Sequence, residues 1–393
     1  MRRSSLALLV GLAILAASIQ VAFALTPVAT DPVGFTTASQ LSNSDTLASI
    51  PFTRTPAFTG AISSISGNVI TVVGTPGWTI NQFVYAQGTQ PNHYYVLIGP
   101  SSTTDPKEGH AYAITANDAT TFTVNTTSDD LSGIPTDTQF LIIPNWTLNT
   151  IYPSTDQNVS FTPTTATRAF KTEILIPNYA AAGVNQAFST AYFFSNNVNG
   201  TGAVVSHNFN AHGAAPSTSN VGWRVVGDNT TDHGDDPLLP DGYFVIRNLN
   251  GAPTLPLKAL GAVLTKKFAI PLMTQTSQAQ DNSVAMIRPV DATLNNTGLN
   301  PTDGSFVATT ATRNFQDELL LFSNAVTALN KSPSAVYFYS NNVNGSTNNV
   351  GWRLVGDNTT DRGNDVIPTG SAIIVRKAAT VSGATVFWIV TPL

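Results

Sequence analysis

Part of this chain is written twice. Thr164–Glu173 (TTATRAFKTE) returns as Thr309–Glu318 (TTATRNFQDE), and Tyr192–Gly200 (YFFSNNVNG) returns as Tyr337–Gly345 (YFYSNNVNG), both 145 residues further on. Asn220–Asp232 (NVGWRVVGDNTTD) then recurs as Asn349–Asp361 (NVGWRLVGDNTTD) only 129 residues on, so the first copy carries 16 extra residues after Gly200. Arg247 and Arg376, each ending an apolar run, keep the 129 spacing. A match this long means one domain present in two copies, and the fold has to accommodate it twice.

Upstream the repeat is less literal. Ile50-Pro51 (ASIPF) resembles Ile270-Pro271 (FAIPL), and Ile143–Leu148 (IPNWTL) precedes the matched block as Arg288–Leu294 (RPVDATL) does in the second copy. Between these anchors the second copy needs only a short loop around 275–282, whereas the first has about 85 residues, 58–142. Such a stretch reads as a small domain inserted into a surface loop, where insertion is tolerated best. The predicted organisation is a first β-domain over 25–57 and 144–250, an inserted domain over 58–143, and a second β-domain over 251–393.

Local pattern makes nearly all of this β. The insert holds six short β-branched or aromatic runs (61–65, 69–73, 94–98, 111–115, 121–124, 139–143) divided by Gly, Asn and Asp, which suits a small barrel. In the repeat, runs such as 173–176, 190–194, 223–226 and 243–247 are spaced as in an antiparallel sandwich. The expected fold class is all-β: two related antiparallel, jelly-roll-like β-sandwich domains, the first carrying an inserted small β-barrel-like domain. Beyond the N-terminal segment the best short helical candidates are 36–41 and 324–329.

Composition agrees. Charged residues make up 10 % of the 393, against about 25 % in an ordinary soluble domain. Hydrophobic residues are nevertheless 42 %, which excludes disorder through charge and favours strands and turns built from Thr, Asn, Ser and Gly. Cysteine is absent, so the fold rests on hydrophobic cores rather than disulfides. A formal net charge of -5 removes the electrostatic term behind generic nucleic-acid binding, and no nucleic-acid partner is expected.

Residues 1–24 read as a Sec-type signal peptide. Arg2 and Arg3 form the positive region, Leu6–Ala17 the apolar region, and Ala22-Phe23-Ala24 a small-x-small site with cleavage before Leu25. No later segment has the apolar length of a transmembrane helix, so the protein is expected to be secreted or held in the cell envelope. Ser44–Arg54 (SDTLASIPFTR), Gly222-Trp223-Arg224 and Phe244–Arg247 (FVIR) resemble the phrases of a family of exported bacterial proteins of about this length, with two related β-domains and no assigned biochemical function. The resemblance implies export and a bacterial source, and it transfers no catalytic or binding residue.

The acidic loop leads the candidate sites because it too is repeated: Gly227–Asp236 (GDNTTDHGDD) recurs as Gly356–Asp365 (GDNTTDRGND). Asp228, Asp232 and Asp236, with Asp357, Asp361 and Asp365, supply hard oxygen donors of the kind Ca²⁺ takes, which makes Ca²⁺ the one candidate cofactor. The same residues shape a loop by Asx turns with no ion at all. Repeated charges (Arg168, Glu173, Arg224, Arg247 and their copies Arg313, Glu318, Arg353, Arg376) fit ion pairs that hold strand register better than they fit catalysis. Glu occurs three times (Glu108, Glu173, Glu318), which leaves little for a glycosidase acid and base pair. His207 and His212 in the 16-residue insert match no metal-ligand spacing, and nucleophile-elbow, phosphate-loop and dinucleotide motifs do not occur. Trp223 and Trp352 read as core. Trp78, Tyr85, His93, Tyr94 and Tyr95 cluster in the insert as a sugar-stacking candidate, half of it turned inward by strand alternation.

These readings lean away from an enzyme. They favour an exported non-enzymatic cell-envelope or extracellular β-repeat protein with a structural, assembly or adhesion role, its partners being copies of itself or surface glycans. The alternative is a secreted carbohydrate-binding protein or carbohydrate-active hydrolase.

Overall fold

Strand follows strand through the whole computed structural model, which describes residues 32–152, 160–198, 220–249 and 251–391. The expected signal peptide and both His207 and His212 lie outside the described residues. The chain opens with β1 (Val33–Gln40) and β2 (Ser44–Ala48), then leaves for β3 (Phe58–Ser66), β4 (Val69–Val72), β5 (Tyr94–Ile98), β6 (Ala111–Asn117), β7 (Thr121–Val124) and β8 (Gln139–Pro144). It returns through β9 (Trp146–Thr147), a one-turn helix α1 (Leu148–Ile151), β10 (Thr172–Pro177), β11 (Phe188–Asn196), β12 (Val221–Val225), β13 (Pro237–Leu238), β14 (Phe244–Asn248) and β15 (Leu255–Ala262). The second copy runs without the excursion: β16 (Phe268–Leu272), β17 (Gln280–Val284), β18 (Ala292–Thr293), β19 (Glu318–Leu321), β20 (Ala335–Asn341), β21 (Val350–Leu354), β22 (Val366–Ile367), β23 (Ile373–Lys377) and β24 (Val386–Val390). The fold is all-β.

The first copy's main sheet runs β12-β11-β10-β14-β2 and the second's β21-β20-β19-β23-β17, the same order strand for strand. Two short pairs face each sheet: β1–β15 and β9–β13 in the first copy, β16–β24 and β18–β22 in the second. The cores lie between, and their largest side chains are Trp223 in the first, 0 % exposed, and Trp352 and Trp388 in the second, 1 % and 0 % exposed. Tyr152, Phe161 and Phe194 surround Trp223, while Phe306 and Tyr339 pack on Trp352. Strands β3 to β8 close into a barrel in the order β3-β4-β7-β6-β5-β8. Its first and last strands are neighbours, with Phe58 opposite Ile142, so the excursion leaves and rejoins at one place.

Four details differ from the sequence expectation, the first being that 36–40 of the helical candidate 36–41 belong to strand β1 and that 324–329 is irregular chain. Residues 280–284 are not loop but strand β17, the counterpart of β2, and the short connector of the second copy is 285–291, between β17 and β18. Ile50-Pro51 follows β2 whereas Ile270-Pro271 lies inside β16, so their likeness is an apolar coincidence and not a repeat equivalence. Residues 255–262, expected in the second domain, pair with β1 and bury Leu257 and Ala259 in the first core, because the backbone of β1 needs a ladder partner there.

Of the repeated charges, Glu173 and Arg247 and their copies Glu318 and Arg376 sit in register across the sheets, while Arg224 and Arg353 turn to the loop aspartates Asp232 and Asp361. Arg247 lies opposite Glu173 on one side and Asp45 on the other, and Arg376 lies likewise between Glu318 and Asp281. Each arginine grips its aspartate with two nitrogens, at 2.7 and 2.8 Å for Asp45 and 2.7 and 3.1 Å for Asp281. The arginine that Glu173 meets is thus Arg247 and not Arg168, five residues before it, because Arg168 sits in a turn at φ 64°.

The main sheets of the two copies meet through their outer faces, packing Leu47, Leu175 and Val245 against Phe322, Ala285 and Ile374. Hydrogen bonds across this junction come in exchanged pairs. Asp45 N donates to Ala328 O at 2.8 Å, and Asp281 N to Gly183 O at 2.9 Å. Asn330 N donates to Asp45 Oδ2 at 2.7 Å, and Asn185 N to Asp281 Oδ2 at 2.8 Å. Ser49 N donates to Gly370 O at 3.0 Å, and Ala285 N to Asp241 O at 2.8 Å. Each of these contacts has a counterpart with the copies swapped, the mark of a two-fold relation between the halves, whereas the Leu47–Asn324 and Arg247–Asn330 bonds are made on one side only. Asn185 and Asn330, which clamp the two aspartates, both hold left-handed backbone (φ 53° and 50°), a conformation Asn tolerates.

Candidate functional site

The acidic loops hang between β12 and β13 and between β21 and β22, where Gly227 and Gly356 turn the chain at φ 103° and 95°. Each carboxylate in them already has a partner within the protein. Asp228 Oδ1 accepts from Thr230 N (3.0 Å), Thr230 Oγ1 (2.8 Å) and Thr231 N (3.2 Å), an Asx turn. Asp357 does the same for Thr359 and Thr360. These threonine bonds hold both aspartates well below the usual carboxylate range. Asp232 and Asp361 accept from Arg224 (3.1 Å) and Arg353 (3.2 Å), and Asp236 and Asp365 from the Tyr192 (2.8 Å) and Tyr337 (3.0 Å) hydroxyls. In the first loop the three aspartates therefore point to three separate places, whereas in the second Arg362 pairs with both Asp357 at 3.1 Å and Asp365 at 3.9 Å. Among the described residues no trio of His, Asp or Glu is disposed to hold a metal ion.

What distinguishes the two loops is the barrel. His233 in the first loop, bonded through Nδ1 to Asp236 Oδ2 at 2.9 Å, stands where the second has Arg362. Asn149 of α1 donates to Asp235 Oδ1 at 3.1 Å, a bond the second loop lacks because Asn364 stands there, while the close packing of Gly234 on the Asn149 side chain recurs as Gly363 on Asn295. Beside this loop the barrel presents Tyr85 and His93, stacked at 4.2 Å with an 11° interplanar angle and both partly exposed. Burial raises the Tyr85 phenol pKa, and the charges of Asp235, Asp236 and Asp232 raise it further. Burial lowers the His93 pKa against the pull of Asp236 and Asp235. Two of the aromatics expected from sequence thus lie within electrostatic reach of one of the two acidic loops.

The remaining aromatics of that cluster are structural. Trp78 is buried in the barrel, edge-on to Phe58 and Phe83. Tyr94 packs on Phe83, while alternation along β5 sends Tyr95 and Leu97 out of the barrel into the core of the second copy.

Sequence reasoning missed a second cluster, at the barrel's contact with that copy. Asp129 accepts from Lys107 Nζ and from Tyr112 OH at 2.7 Å, and its Oδ2 is 2.6 Å from His110 Nδ1. Burial would raise the Asp129 pKa, but these three partners prevail and lower it. His110 is 4 % exposed and lies on Phe387 at 4.1 Å. The barrel covers this side of β16–β24, with Ala269 N donating to Gly109 O at 2.8 Å and Lys267 bridging to Glu108 at 2.7 Å. The equivalent face of β1–β15 is bare: Val33, Phe35 and Leu260 are 68 %, 61 % and 63 % exposed, with Phe35 directly opposite Leu260.

No family model, curated protein or solved structure matches the chain. The resemblance to exported bacterial proteins rests on the quoted phrases alone. No helix among the described residues is long and apolar enough to cross a membrane.

Proposed function

We propose that the chain is an exported, non-enzymatic β-repeat protein of the cell envelope or extracellular space, and that it works by assembly through its β1–β15 face. One observation carries this reading. The two-fold relation gives the molecule two equivalent outer faces, and the barrel covers the one on β16–β24 while Val33, Phe35 and Leu260 stay in water on the other. Three large apolar side chains exposed together on a flat strand pair favour contact with another surface. Sedimentation equilibrium across a concentration series tests it: the full chain should exceed monomer mass, and a Phe35→Asp, Leu260→Asp variant should return to monomer. A strictly monomeric parent at every concentration would overturn it.

Adhesion to surface glycans is a second reading, favoured by the Tyr85–His93 stack beside Asn149 and Asp235. Aromatic faces pack on sugar rings while neighbouring amides and carboxylates take the hydroxyls. Glycan-array binding should be lost in Tyr85→Ala and kept in Tyr95→Phe. Release of reducing sugar from a bound glycan would turn this reading into the hydrolase alternative.

A further inference from the structure

The core of the second copy contains a charged pair that the first copy lacks. Lys377 on β23 is 1 % exposed and Asp317, just ahead of β19, is 0 % exposed. Register places them together, since Glu318 lies opposite Arg376 and the next pair outward is Asp317 and Lys377. The Lys377 ammonium donates to Asp317 Oδ2 and, at 2.8 Å, to Ser305 O. The Phe306 ring centroid lies 6.0 Å from Nζ, and Phe306 itself packs on Trp352. At the equivalent positions the first copy has Thr172 and Asn248, whose hydroxyl and amide make an ordinary 2.9 Å bond. The sheet therefore closes with a neutral pair, and register alone does not call for two buried charges, which are costly to desolvate.

The surroundings suit a reaction between the two groups. Both oxygens of Asp317 are held by backbone donors, Oδ2 by Val307 N at 2.7 Å and Oδ1 by Ala378 N at 2.9 Å. Two fixed N–H groups on one carboxyl are what a tetrahedral intermediate at that carbon needs to carry its charge. The Ser305 carbonyl fixes the amine against Asp317 Oδ2, so the nucleophile is held beside the carboxyl it would attack in a buried site.

We propose that Lys377 and Asp317 condense into an intramolecular amide that ties β23 to the start of β19. A proton passes from Nζ to the Asp317 carboxylate, leaving a neutral amine and a carboxylic acid with no change in net charge. The Nζ lone pair attacks Cγ, forming the C–N bond, and charge collects on Oδ1 facing Ala378 N–H. A second proton moves from Nζ to Oδ2, the C–Oδ2 bond breaks, and one water leaves. Nothing is oxidised or reduced, and no co-reactant is required. A cysteine-free exported chain would gain by this route the kind of covalent tie that disulfides give other secreted proteins.

Mass spectrometry of the purified, denatured full chain tests the proposal, with the N-terminal peptide sequenced first to fix the expected mass. The chain should be lighter than its sequence by one water, about 18 Da, and a digest should yield a branched peptide joining Lys377 to Asp317. In Lys377→Arg the missing mass should return. Linear peptides carrying unmodified Lys377 and Asp317 at full yield would overturn the proposal. So would a water loss that persists in Lys377→Arg, since that marks a cyclised aspartate instead. The measurement on the parent chain is decisive and does not depend on any variant folding.

Discussion

Asp281→Ala should weaken the molecule more than any surface carboxylate does. Asp281 is 2 % exposed and accepts two bonds from Arg376 and one from Asn185 N, so it serves both the sheet of the second copy and the clamp from the first. Breaking a fully buried ion pair from one side costs about 3–5 kcal/mol. Here the Arg376 side chain is 24 % exposed and keeps Glu318 at 3.5 Å, which trims the loss to about 2–3 kcal/mol. The orphaned Asn185 amide adds about 1 kcal/mol. The sum, about 3–4 kcal/mol, lowers Tm by about 5–10 °C in a cooperative unit of this size. Thermal unfolding followed by circular dichroism measures it, with exposed Asp303→Ala as the control. Two-fold exchange makes a second demand: Asp45→Ala, whose partners are Arg247 and Asn330, should cost the same to within about 1 kcal/mol. Hydrogen exchange should speed up at Asn185 in the first variant and at Asn330 in the second. A melt of either variant that matches the Asp303→Ala control would refute the clamp as a source of stability.

Further outcomes follow from single sites. Burial pushes the Asp241 carboxyl up to about 6, so the folded chain keeps a proton that the unfolded chain releases near pH 4, and stability falls as pH rises from about 4 to 6. Asp241→Asn should abolish that slope and gain about 1–2 kcal/mol at pH 7, discounted because the side chain is partly exposed; an unchanged slope in a pH series of denaturant melts would assign it elsewhere. Gly261→Ala should cost about 1–3 kcal/mol by overpacking, since a Cβ there would lie 2.6 Å from Thr53 O and 2.7 Å from Phe52 Cβ, and a neutral denaturant melt would deny the packing of β15 on the first copy. Calcium in millimolar excess should leave Tm where chelator leaves it, because each loop carboxylate already has a partner within the protein; a rise reversed by chelator would restore the ion site.

The repeat made most of the strand plan legible. Offsets of 145 and 129 fixed the equivalence of Glu173 with Glu318 and of Trp223 with Trp352, while the burial of β2, β10, β14 and β17 on both faces left no alternation to read. Equivalence faded where the copies share only a chemical role. Asp45 and Asp281 do the same work, yet SDTLA and QDNSV share little else, and a two-residue likeness at Ile50-Pro51 was the louder signal. The partner of Glu173 was hidden for a related reason: Arg168 is near in sequence, while Arg247 becomes a neighbour only once β14 pairs with β10. The nearness of Tyr85 and His93 to Asp235 was invisible because it depends on how the barrel packs, and sequence spacing carries no information about that. Asp317 and Lys377 could have been found, since they are the two charged replacements for Thr172 and Asn248 at matched offsets in a chain otherwise sparing with charge.

The insert is what makes two equal halves unequal. It leaves the first copy between β2 and β9, yet Tyr95, Leu97 and Ile143 are packed in the core of the second copy with Phe268, Ile270 and Trp388. The chain thus crosses from one half to the other and back before the first sandwich is complete, so the barrel straps the halves that the reciprocal aspartate clamps already join. Two one-sided features trace to that crossing: a covered β16–β24 face against a bare β1–β15 face, and an acidic loop that has the barrel's Tyr85 and His93 nearby against one that has not. Replacing the barrel with a short connector of the same sequence as 285–291 would therefore do more than remove a domain. It would expose Ala269 and Phe387 on the second copy and leave two bare faces where there was one, so that, on the assembly proposed above, association through a single face would become open-ended.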